Sequence, residues 1–138
     1  MKEVMKTNIY DVDDTIIIVG SCLKDVESKG YKKLENISKN IYDLCLENTH
    51  INMAVTKIGG MLRTGKVHNI IFATVERSPH CIQMHYIQDE LRKMMNLENI
   101  KITNYVVKDN ELIEITPDII SLSKNLFELK KYIEKEKN

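Results

Sequence analysis

Apolar positions along the chain fall into runs of two kinds. TIIIVG (15–20) is an unbroken β-branched run closed by glycine, and VHNIIFATV (67–75) repeats the pattern. Runs without polar alternation belong to strands covered on both faces, so both segments are read as buried strands. NIYDV (8–12) is expected to be a short partner strand, with Asp13-Asp14 as the hairpin turn before the first run. Elsewhere the spacing is helical. Leu34, Ile37, Ile41, Leu44 and Cys45 recur at helical intervals, as do Ile51, Ala54, Val55, Ile58, Met61 and Leu62. Two amphipathic helices are therefore predicted after the first strand, with Cys45 on a core-facing stripe. Arg63-Thr64-Gly65 supplies a basic last turn and a closing glycine, while Gly59-Gly60 inside the helical pattern predicts close packing against the sheet.

Past the second strand, Ser78 has the character of an N-cap and Pro79 of a first helical residue, since a hydroxyl accepts an orphan N–H and proline has none to lose. Met84, Ile87, Leu91, Met94 and Met95 extend that helix with an apolar stripe. IKITNYVV (100–107) and ELIEIT (111–116) flank Lys108-Asp109-Asn110 and predict two strands joined by a tight turn. Thr116-Pro117 repeats the cap signal before a last helix, with Ile119, Leu122, Leu126, Leu129 and Ile133 facing inward and a solvated lysine-rich end. Strands alternating with helices define an α/β class. The expectation is one domain over residues 1–138, a three-layer sandwich around a mixed, mainly parallel sheet of about four strands, its two main strands parallel neighbours through a right-handed crossover.

Composition narrows the function. Twenty basic and twenty acidic side chains leave zero formal charge on 138 residues, so no global field draws the chain to nucleic acid or an anionic membrane. No apolar run reaches the roughly 18 residues of a spanning helix, and MKEVMKTNIY lacks the apolar centre of a signal peptide; a cytoplasmic location is expected. Three cysteines, Cys22, Cys45 and Cys81, are an odd set in a chain large enough to fold without staples, which predicts reduced thiols.

Open α/β sheets bind ligands beyond the carboxyl ends of their strands, and both predicted exits carry a thiol. The first reads GSCLKD, with Ser21 and Cys22; the second reads ERSPHC, with Ser78, His80 and Cys81. If the strands are neighbours, Cys22 and Cys81 approach one another. Cys81 near a helix N-terminus would favour a thiolate, and His85, four residues on, would share its helical face as partner or base. Cys81 and His85 are thus the candidate catalytic pair. Ser21, Cys22, Ser78 and His80 are candidate ligand-binding residues for an anionic small molecule, with backbone donors after Ser78. Cys22, Cys81 and His80 would suit a soft metal such as zinc or iron with one position open. His50 and His68 are expected on the surface. A noncatalytic alternative is a scaffold or subunit whose Met-rich helix meets a second copy or another protein.

Three resemblances accompany this reading. A strand ending in a Cys/Asp loop, followed by helices and then NIIFATVERSPHC, resembles the β-class carbonic anhydrases over residues 15–95, which implies a zinc held by cysteine and histidine at two strand ends. MLRTGKVHNIIFATVERSPHC is similar to small ferredoxin-associated domains in which a like strand ends in Pro-Cys-Cys. YDVDDT (10–15) matches the Asp-x-Asp-x-Thr motif of haloacid-dehalogenase-like phosphatases, which implies a magnesium-dependent phosphatase with Asp11 as nucleophile and Asp13 as general acid/base.

Overall fold

Six strands form one sheet in the computed structural model, which describes residues 2–137. In chain order they are β1 (Lys2–Glu3), β2 (Thr15–Gly20), β3 (Ile41–Leu44), β4 (Asn69–Val75), β5 (Lys101–Lys108) and β6 (Glu111–Ile115). The spatial order is β1-β3-β2-β4-β5-β6, parallel throughout except for the antiparallel β5–β6 pair. The helices are α1 (Leu23–Val26), α2 (Ser28–Glu35), α3 (Ile51–Arg63), α4 (Ile87–Met94), α5 (Pro117–Ser123) and α6 (Leu126–Lys137); 3-10 helices occupy Val4–Lys6 and Cys81–Tyr86. A mixed, mainly parallel sheet was expected, but with six strands rather than about four.

Of the two strands not predicted, β1 and β3, the second lies inside the segment predicted as one helix from Leu34 to Cys45. The helix stops at Glu35 because Ser38 draws the chain back to the sheet: its hydroxyl donates to the Thr15 carbonyl at 2.8 Å and accepts from Asn40 N–H at 3.1 Å. Ile41 then faces one core while Tyr42 and Leu44 face the other. Both faces being apolar, the two-residue period of the strand leaves no polar alternation to read. The expected hairpin of NIYDV with β2 is absent because β3 and β4 occupy both edges of β2. Residues 8–11 instead make a tight turn, with Asp11 N–H donating to the Asn8 carbonyl at 2.9 Å.

Two apolar cores cover the sheet, which gives the three layers expected. On one face Ile16, Ile18, Ile70 and Phe72 pack with α3 and α4; on the other Ile17, Val19, Ile71 and Ala73 pack with Leu23, Tyr31 and Leu34 of α1 and α2. A Cβ at Gly59 would lie 3.2 Å from Leu91, and one at Gly60 3.2 Å from Ile9, so the tight packing is against α4 and the loop before β2 rather than the sheet. Asp109 and Asn110, at φ 52° and 63°, form the short β5–β6 turn, the left-handed pair that two-residue hairpins require.

Thr116 caps α5 as expected, its hydroxyl accepting from Ile119 N–H. The final helix is nonetheless broken into α5 and α6, and of the residues meant to face inward Ile119, Leu126 and Ile133 are exposed; no residue of α6 is buried. No helix among the described residues is long and apolar enough to cross a membrane.

Candidate functional site

The connections from β2 run to β3 on one side and then to β4 on the other. This reversal opens a crevice beyond the carboxyl ends of β2 and β4, where open α/β sheets place ligands. Into it come Ser21-Cys22 from the end of β2 and the loop 76–80 from the end of β4. Cys22 Sγ and Cys81 Sγ lie 4.0 Å apart, although 59 residues separate them in the chain. Gly20 makes this approach possible: a Cβ there would stand 2.6 Å from Cys81 Sγ, so the sulfur fills the place of the missing methyl.

A cavity of about 210 Å³ opens beside the pair. Ser21, Ser78, Glu47 and His80 line it together with all three cysteines. Cys45 was missed by the periodicity, which placed it on a helical core stripe. It is half-buried and follows the last residue of β3, so it arrives at the same edge as the other thiols. The signal was present only for a reader who had already recognised β3.

His85 takes no part in this cavity's chemistry. Residues four apart are about 40° apart around an α-helix but about 120° apart around a 3-10 helix, and Cys81–Tyr86 is 3-10. Cys81 and Met84 therefore face the strand-end cavity while His85 points away. Ser78 does supply the expected hydroxyl, accepting Cys81 N–H at 3.3 Å, but the α-helix begins only at Ile87. His85 is buried, with Nε2 2.7 Å from Thr74 Oγ1 and Nδ1 2.8 Å from Asn104 Oδ1. Burial holds its imidazole below the ordinary value. The expected Cys81–His85 pair is thus not formed.

The expected metal set is not assembled either. His80 Nε2 is 3.0 Å from Glu47 Oε1, in a rim pair more than half exposed on both sides. The two sulfurs at 4.0 Å come close to the roughly 3.8 Å spanned by two thiolates on tetrahedral zinc. Among the described residues, however, no three His, Cys, Asp or Glu side chains gather as a metal-holding group.

Electrostatics run against a bound anion. Neither lysine nor arginine lines the cavity, and Glu47 does. Burial, and then the neighbouring Cys81, push the Cys22 thiol up. On β3, burial and nearby Glu3 push the Asp43 carboxyl up, and its Oδ1 has no hydrogen-bond partner among the described residues.

The remaining candidates sit elsewhere. Asp11 and Asp13 precede β2 and so lie at its amino end, opposite the cavity; the Asp11 carbonyl accepts from Tyr42 Oη at 3.0 Å. The phosphatase motif requires its aspartates to follow a strand, and these lead into one. His50 and His68 are exposed, the first capping α3 through Nδ1 and the second 2.8 Å from Asp14.

The model of a family described as Rossmann-like domain matches residues 12–138, and it lends no support to the likenesses with carbonic anhydrases or ferredoxin-associated domains. No curated protein and no solved structure matches the sequence.

Proposed function

The chain belongs to the Rossmann-like domain family, and on that premise we propose that its strand-end crevice is a dithiol–disulfide centre in which Cys22 and Cys81 exchange with small disulfides. One observation carries the reading: the two sulfurs stand 4.0 Å apart at the crevice. A dinucleotide is a poorer fit. GSCLKD at the end of β2 has one glycine where phosphate-binding turns of this fold class carry three.

The exchange is a two-step transfer. Cys22, the exposed thiol, loses its proton and attacks one sulfur of the small disulfide, forming a mixed disulfide and releasing the first small thiol. Cys81, buried behind it, then attacks the Cys22 sulfur, releases the second small thiol and closes the protein disulfide. Two electrons pass from the protein pair to the small disulfide, and the two thiol protons end on the released thiols. Closure brings the sulfurs from 4.0 Å to about 2.05 Å. Because the Cys22 thiol is pushed up, exchange accelerates as pH rises through the alkaline range.

Reduced protein titrated with oxidised glutathione, quenched by alkylation and peptide-mapped, tests this. The expected product has lost two hydrogens and links Cys22 to Cys81, while Cys81→Ser accumulates glutathione on Cys22. A link through Cys45, no link at all, or a stoichiometric metal held by the pair would overturn it.

A further inference from the structure

On the other side of the 3-10 segment lies a second cavity, of about 370 Å³, within the range of small-molecule sites. Its walls are apolar, from Val75, Ile82, Val106, Ile115 and Ile120. Glu76 and Arg77 put opposite charges at its exposed rim. Thr74, Ser78, Tyr86 and Ser123 bring hydroxyls to its lining.

The hydrogens on the Thr74, Tyr86 and Ser123 hydroxyls can be assigned. Asn104 Oδ1 only accepts, and it already accepts from Gln88 Nε2 at 2.8 Å; the His85 Nδ1 beside it therefore carries the ring hydrogen. With the ring neutral, Nε2 is an acceptor, and the single hydroxyl hydrogen of Thr74 points to it at 2.7 Å. At the other end Ser123 donates to the Ile120 carbonyl at 2.6 Å, so the Tyr86 hydroxyl donates to Ser123 at 2.9 Å. The Thr74 and Tyr86 hydroxyls thus turn lone pairs rather than their hydrogens toward the cavity.

We propose that this cavity binds an uncharged, mainly apolar small molecule bearing a hydrogen-bond-donating head, such as an aliphatic alcohol, whose hydrogen is accepted by Thr74 Oγ1. With its head at Thr74, a carboxylate would set its oxygens against the Thr74 lone pairs, and an ether would bring no hydrogen to them. The site is separate from the dithiol, since the 3-10 segment stands between the two.

The test uses n-octanol, its methyl ether and n-octanoate, titrated into the full chain and followed by the methyl resonances of Val106 and Ile120. The alcohol is expected to saturate and to bind about five-fold tighter than the ether, the ratio one net hydrogen bond gives. Thr74→Val should make the two equal, and Val106→Phe, which fills the cavity, should abolish both. The alcohol–ether comparison on the unaltered chain stands whether or not either variant folds. No saturable shift, equal affinities in the unaltered chain, or preference for octanoate would overturn the proposal.

Discussion

Asn104→Leu tests the buried network that gives the second cavity its polarity. Leucine keeps the branched outline of asparagine but removes three hydrogen bonds: from His85 Nδ1 and Gln88 Nε2 to Oδ1, each at 2.8 Å, and from Nδ2 to Gln88 Oε1 at 3.3 Å. Gln88 Nε2 keeps a partner in the His85 carbonyl at 2.7 Å. Two atoms are then left unpaired in the interior, His85 Nδ1 and Gln88 Oε1. At roughly 1–3 kcal/mol for each, less about 1 kcal/mol for the added apolar burial, the expected loss is about 1–5 kcal/mol. Urea unfolding reads it as a lower midpoint at unchanged slope. The variant also frees the ring hydrogen to move to Nε2, which returns the Thr74 hydroxyl hydrogen to the cavity and removes the preference for alcohol over ether. A loss under about 1 kcal/mol, with the preference intact, would refute the hydrogen assignment and the network with it.

Gly20→Ala should displace Cys81 Sγ, cost about 1–3 kcal/mol by overpacking and slow closure of the Cys22–Cys81 disulfide, measured by the same alkylation map; an unchanged rate would show that Gly20 does not set the approach. His85, held below the ordinary imidazole value of about 6.5, takes up its proton in the unfolded chain before the folded one does. Its contribution is present in full above about 6.5 and is lost as pH falls toward the folded value; urea midpoints across that window should slope downward, and less so in His85→Gln. Deleting residues 126–137 should shift stability by less than about 0.5 kcal/mol in the same assay, because no residue of α6 is buried.

Much of this protein was legible locally. The unbroken apolar runs identified β2 and β4, Thr116-Pro117 marked the start of α5, and Lys108-Asp109-Asn110 marked the β5–β6 turn. Each of those signals is a property of a few adjacent residues, set by backbone sterics and hydrogen-bond donors the local chain must satisfy. The meeting of Cys22 with Cys81 followed once β2 and β4 were taken as parallel neighbours, since parallel strands bring their carboxyl ends to one edge.

Tertiary structure decided the rest. Ile41, Leu44 and Cys45 carry spacing compatible with a helix, and only a vacant edge on β2 with apolar layers above and below made Ile41–Leu44 a strand and brought Cys45 to the cavity. His85 was a matter of rotation: α and 3-10 turns differ by about 20° per residue, and over four residues that difference carried the imidazole from the thiol to Thr74 and Asn104. The apolar residues of α6 follow a helical period yet lie in solvent. A period records how a segment turns about its own axis, whereas burial and partnership depend on what stands opposite, and that is settled only when distant segments pack.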